Sequence, residues 1–168
     1  MTTDIDLIIL GEEMHPGGHD AAIGDRLVRG VADLYGLMYA AQAAHWNVTG
    51  PDFQQLHALF GECYEQAYRA IDEVAEQTRQ LGTKLPRDLR ELLATSSVPS
   101  GAGEDTPEAY VRAILRGEEM LKANWDSVAS DDGGNAGLND LVSRLSGEHS
   151  KLAWKLRSTL GDGGDDRG

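Results

Sequence analysis

The chain of 168 residues carries 28 acidic against 15 basic side chains, a formal net charge of −13, and 40% hydrophobic residues. That is length for one domain with a sizeable core, and the charge argues against nucleic-acid binding that relies on Lys and Arg at phosphates. No run of about 18 apolar residues occurs, so no membrane-spanning helix is expected, and the single cysteine, Cys63, excludes an internal disulfide and fits a reducing cytoplasm.

Residues 1–19 read as an acidic tail, because residues 1–25 hold six carboxylates and no Lys or Arg. The patch Leu7-Ile8-Ile9-Leu10 is too short for a signal sequence and follows Asp4 and Asp6 instead of basic residues. A first long helix is expected over residues 20–48, rich in Ala, Leu and Val and free of proline. Gly50-Pro51-Asp52 breaks it, with Asp52 expected to cap the next helix. That helix runs over residues 53–81 and stops at Gly82, with Leu56, Leu59, Phe60, Cys63, Ala67, Ala70, Ile71, Val74 and Leu81 marking its buried stripe. Cys63 therefore reads as core. A short helix over residues 87–94 sits in the connector that follows. Thr106-Pro107-Glu108 is a strong helix start (a cap, proline in the first turn, an acid beside it), and the third long helix extends to Ala129. Asp131-Asp132-Gly133-Gly134 is a loop, residues 138–160 form the fourth long helix, and residues 161–168 are a second acidic tail. The expected fold is all-α, a ferritin-like four-helix bundle over residues 20–160 with a short extra helix in the long crossover between the second and third long helices.

His45 and His57 lie twelve residues apart, Asp72 follows fifteen residues after His57, and Glu76 four after that. Asp72 and Glu76 leave one face of their helix, one turn apart. His57 begins the same helix, and fifteen residues at about 1.5 Å each put roughly 22 Å between it and Asp72. No single metal ion spans that gap. If the four residues form one site, the second half comes from another chain, so the spacing predicts a metal centre and a dimer together. At about 100° per residue, His57, Gly61, Tyr64, Tyr68, Asp72 and Glu76 share an arc beside the apolar stripe. A second subunit is expected to dock there, with the small Gly61 and Ala75 permitting close approach. Two imidazoles and two carboxylates suit Fe(II), and less specifically Zn or Mn. The only Glu-x-x-His, Glu12 to His15, falls in the amino-terminal tail. The internal helices thus lack the motif of an ordinary di-iron bundle.

His45-Trp46-Asn47-Val48-Thr49-Gly50-Pro51, then Phe53, Leu56-His57 and Asp72-Glu73-Val74-Ala75-Glu76, resembles the Dps family of mini-ferritins. Residues 92–98 are similar to that family's connector, and residues 149–158, with Trp154, to its last helix. The resemblance implies a hollow dodecamer with ferroxidase sites at the two-fold dimer interface, His45 and His57 coming from one chain and Asp72 and Glu76 from its partner. It further implies oxidation of Fe(II), usually by hydrogen peroxide, with O2 as the other acceptor, and storage of ferric oxide inside the shell as protection against oxidative damage. Trp46 resembles the family's aromatic residue near the site, although a packing role at the interface accounts for it equally.

The chain departs from the family at Gly61, where a carboxylate is often found, which weakens the second iron position of each site. Gln77 replaces a common Arg. The glycine-rich segment 131–139 lies where the family places an acidic pore, making Asp131, Asp132 and Asp140 pore candidates. A polar loop with a helix-capping or first-turn acid explains the same residues. Two alternative functions are a nucleoid-associated DNA-binding stress protein, which the acidic tails oppose unless cations bridge, and a non-catalytic helical oligomer binding metal structurally.

Overall fold

The computed structural model describes residues 18–99, 101 and 103–161. Nearly all of both acidic tails, and the Glu12–His15 pair, lie outside the described residues. Among those described there are five helices and no strand: α1 (Gly18–Asn47), α2 (Phe53–Gln80), α3 (Leu89–Leu93), α4 (Pro107–Ala129) and α5 (Ala136–Thr159). The short loops 48–52 and 130–135 fold α1 against α2 and α4 against α5. The two hairpins meet mainly through α1 and α4, with α2 also touching α5. Residues 81–106 form the long crossover, and α3 packs on α1.

The helix starts follow from side-chain chemistry, with one exception. Thr106 holds an extended backbone and its hydroxyl accepts from Ala109 N at 3.2 Å. Asp88 accepts from Arg90 N at 2.7 Å, and Asn135 accepts from Leu138 N at 3.0 Å. Asn135 thereby starts α5 two residues before its expected position, which leaves Asp140 outside the first turn. The exception is Asp52. It stands at the start of α2 but makes no side-chain cap, because its backbone (φ −95°, ψ 15°) is not the extended form that capping needs. The turn does the work instead: Phe53 N bonds Gly50 O at 3.1 Å, and Gly50 takes φ +105°, a conformation glycine adopts without strain.

The core runs the length of the bundle. Leu27, Leu34 and Leu37 of α1 meet Phe60 and Val74 of α2, Ile114 and Leu121 of α4, and Leu145 and Leu156 of α5, all essentially without exposed surface. Each such side chain contributes about 1.5–3 kcal/mol through removal from water. Cys63 is fully buried, as its place in the stripe predicts. Trp125 is fully buried, and α1 makes room for it at Gly30, where a Cβ would stand only 2.4 Å from the indole.

One buried charge ties the crossover down. Asp33, 2% exposed on α1, accepts from the Ser96 hydroxyl at 2.9 Å and the Ser97 amide at 2.5 Å, with the Val98 amide at 3.3 Å. A buried carboxylate is tolerable when donors converge on it. Asp33 thus pins the connector just after α3 to α1.

Candidate metal centre

The turn at residues 48–52 brings the last turn of α1 against the second turn of α2, and with it His45 against His57. Their rings stack with centroids 3.6 Å apart and planes 18° from parallel. The two residues exchange hydrogen bonds: His45 Nδ1 lies 2.6 Å from the carbonyl oxygen of His57, and His57 Nδ1 lies 2.8 Å from the carbonyl oxygen of His45. A carbonyl only accepts, so both Nδ1 atoms carry the proton. In the neutral rings each Nε2 is then left with a free lone pair, the tautomer a metal ligand needs. The His45 carbonyl is one of the orphan acceptors at a helix end, and this bond also satisfies it.

Aromatic neighbours hold the pair in place. Phe53 stacks on His57 at 5.0 Å, and Tyr64 meets His45 edge-on at 5.2 Å. Gly61 lies under His45, with His45 Cε1 and Nδ1 both 3.5 Å from where a Cβ would stand. Within the chain, the missing side chain of Gly61 thus leaves room for the His45 ring. Trp46 is 61% exposed, and its indole makes no ring contact with either imidazole or with Tyr64 among the described residues.

Asp72 and Glu76 are exposed on the distal half of α2 and make no hydrogen bond or ion pair among the described residues. The structure therefore brings the two histidines together and leaves the two carboxylates far from them. Among the described residues, no three His, Cys, Asp or Glu side chains of one chain come close enough to hold a metal. Between the two halves, on the same surface of α1 and α2, lies a shallow groove of about 230 Å³ lined by Met38, Gln42, Tyr64, Glu65, Tyr68 and Arg69. Tyr68 is 69% exposed there, a large apolar ring left on the surface.

The pore candidates are engaged locally. Asp131 pairs with Arg26, which holds its carboxyl below the usual range, and His19 lies 3.7 Å away. Asp132 accepts from Gly134 N at 2.8 Å and Asn139 Nδ2 at 2.6 Å, bracing the loop. Asp140 is exposed and unpaired among the described residues.

A second polar cluster escaped the sequence reading. His149 of α5 and Glu118 of α4 are fully buried, with Nδ1 and Oε2 2.5 Å apart, and Cys63 of α2 alongside. Burial raises the Glu118 carboxyl, opposed by the His149 hydrogen bond, and burial likewise pushes the Cys63 thiol well up. A signal for the pair was present. Glu118 interrupts the apolar series Val111, Ile114, Leu121, Trp125, and His149 the series Val142, Leu145, Leu152, Leu156, so each polar residue stands in a core stripe.

Comparison with known proteins places the chain. Residues 24–164 match the family model described as a ferritin-like domain. The chain is 34% identical to DNA protection during starvation protein 2 of Bacillus anthracis, over 77% of this chain and 90% of that protein. Among solved structures, Dps from Thermosynechococcus elongatus superposes with a TM-score of 0.81 at 25% identity, covering 89% of this chain and 97% of that one. The Dps protein of Vibrio cholerae O1, described as a member of a broad superfamily of ferritin-like diiron-carboxylate proteins, shares the fold at TM-score 0.78 and 23% identity, over 84% of this chain and 91% of that one.

Proposed function

Because this chain belongs to the Dps family of ferritin-like proteins, we propose that it oxidises Fe(II) at sites shared between two copies of itself and stores the ferric product inside a hollow dodecamer. The observation that carries the proposal is the reciprocal Nδ1-to-carbonyl bonding of His45 and His57, which prepares two Nε2 lone pairs within one chain. Those two donors alone are too few for a stable iron site. Asp72 and Glu76, unpaired on the surface of the same helix, supply the rest when a second copy packs antiparallel over the groove that contains Tyr64 and Tyr68. Imidazole nitrogens tether the ferrous substrate, while the harder carboxylates favour the ferric product. Zn(II) or Mn(II) would occupy the same donors without the same turnover.

Hydrogen peroxide is the proposed acceptor, with O2 the slower alternative, so oxidation would remove both partners of radical-forming chemistry and protect the cell. Among the described residues no helix is long and apolar enough to cross a membrane, and we place the activity in the cytoplasm. DNA contact enters this reading only through bridging cations, since a net charge of −13 repels phosphates.

A complementation experiment tests the shared site. His57→Ala and Asp72→Ala homo-oligomers should each lose fast Fe(II) oxidation in stopped-flow absorbance. When they are dissociated, mixed and reassembled, each mixed pair gains one complete site, and activity should return. If both variants are inactive and the mixture stays inactive despite demonstrated co-assembly, the site is not shared between chains.

A further inference from the structure

We infer that Tyr64 is a second electron donor at the iron site, an inference that rests on the proposed ferroxidase reading and extends it. Gly61 is the starting point. It forms the wall beneath His45 and offers no side-chain donor, so the shared pocket is left with two imidazoles and two carboxylates. That set holds one iron well and a second one poorly. Peroxide needs two electrons to become water, and a lone Fe(II) supplies one. With no other donor, that single electron splits the O–O bond into hydroxide and a hydroxyl radical.

Tyr64 is placed to supply the missing electron. Among the described residues it is the one phenol or indole ring in contact with a site imidazole, edge-on to His45 with centroids 5.2 Å apart. Phe53, the other aromatic neighbour, stacks on His57 but has no phenol to oxidise. Trp46 is next to His45 in sequence, yet its exposed ring contacts neither histidine among the described residues. Tyr68 lies one turn further along α2, outside the ring cluster and more exposed. The Tyr64 hydroxyl has no hydrogen-bond partner among the described residues.

The step balances. The O–O bond of hydrogen peroxide breaks. Fe(II) gives one electron and becomes Fe(III), and Tyr64 gives one electron and its phenolic proton and becomes a neutral tyrosyl radical. With one further proton from solvent, the two peroxide oxygens leave as two waters. No hydroxyl radical is released.

The experiment loads the whole oligomer anaerobically with one Fe(II) per chain, adds hydrogen peroxide, and freezes samples at millisecond delays for electron paramagnetic resonance. A parallel set contains a hydroxyl-radical spin trap. The native protein should form Fe(III) together with a tyrosyl signal. Tyr64→Phe should form Fe(III), lose that signal, and give a severalfold rise in trapped hydroxyl radical. Tyr68→Phe and Trp46→Phe should both keep the native signal. A radical that persists in Tyr64→Phe, one that disappears in Trp46→Phe, or Fe(III) formed with no organic radical overturns the inference and leaves the iron reading standing. Failure of the native protein to form Fe(III) at all removes the iron reading, and this inference with it.

Discussion

His45 and His57 stand half-buried where α1 turns into α2, whereas His149 lies in the bundle interior with no exposed surface, yet all three rings commit Nδ1 to a hydrogen bond. The acceptors differ. At the turn they are backbone carbonyls, which are neutral and fix a tautomer, so each ring keeps a second nitrogen that makes no hydrogen bond among the described residues. In the interior the partner is the Glu118 carboxylate, itself fully buried, and the second ring nitrogen, Nε2, meets no hydrogen-bond partner among the described residues. The first arrangement presents ligands. The second joins α4 to α5 around Trp125, whose ring lies roughly parallel to the imidazole at 6.4 Å. What separates a candidate metal centre from a structural tie here is therefore not the presence of His and carboxylate, but which of them water and ions can reach.

The sharpest way to break this comparison is to remove the exposed donors. His57→Ala combined with Asp72→Ala should reduce Fe(II) oxidation to the rate in buffer alone, with the helical circular dichroism essentially unchanged, because neither side chain lies in the core. Native-like kinetics in this variant would show that the ligands have been misassigned. Removing the buried acid should do the opposite. Glu118→Ala strips the partner from a buried imidazole, and breaking such a pair typically costs about 3–5 kcal/mol. Denaturant unfolding at fixed protein concentration measures it, and a loss below about 1 kcal/mol would class the pair with surface contacts.

Acidity gives a finer test of the interior pair. Burial raises the Glu118 carboxyl from its ordinary 4.5, outweighing the lowering by His149. A carboxyl so raised binds more proton in the folded chain than in the unfolded one. Its contribution is complete below about pH 4.5 and declines as the pH climbs through the folded value. Glu118→Gln cannot titrate, so its melting temperature relative to the native chain should improve as pH rises from that point. A difference that stays flat across the series would mean that the carboxyl keeps its ordinary acidity.

The two histidine clusters were unequally legible. The impossibility of His57 reaching Asp72 and Glu76 along one helix follows from counting residues at a known rise. The four long helices follow likewise from caps and apolar spacing, and the ferritin-like fold from their order. Glu118 and His149, thirty-one residues apart, were not found, although each interrupts an apolar series, because spacing along two helices does not say which positions face each other. Asp33 was equally hidden. Its partners, Ser96 to Val98, lie more than sixty residues away in a connector whose path only the packed bundle defines. The cap at Asp52 was misjudged for a local reason: the Gly50-Pro51 turn satisfies the first amide of α2 through its own backbone.

The smallest expected effect concerns the surface counterpart of the buried cluster. Lys155 of α5 reaches Glu62 of α2, with Nζ 2.5 and 2.7 Å from the two carboxylate oxygens, at side-chain exposures of 29% and 46%. Glu62 directly precedes Cys63, so this ion pair links α2 to α5 at nearly the level where Cys63, Glu118 and His149 meet inside. Geometry alone would rank it with the buried pair. Solvent decides otherwise, because water stabilises the separated charges almost as well as they stabilise each other, and ordering two long side chains costs entropy. Lys155→Ala should therefore cost only about 0.2–1 kcal/mol, and raising the salt concentration should shrink that difference. Parallel denaturation of Lys155→Ala and Glu118→Ala at low and high salt puts the two links on one scale. A loss for Lys155→Ala that matched Glu118→Ala and ignored salt would mean that the α2–α5 contact is held from the surface, and that burial is not what distinguishes the clusters.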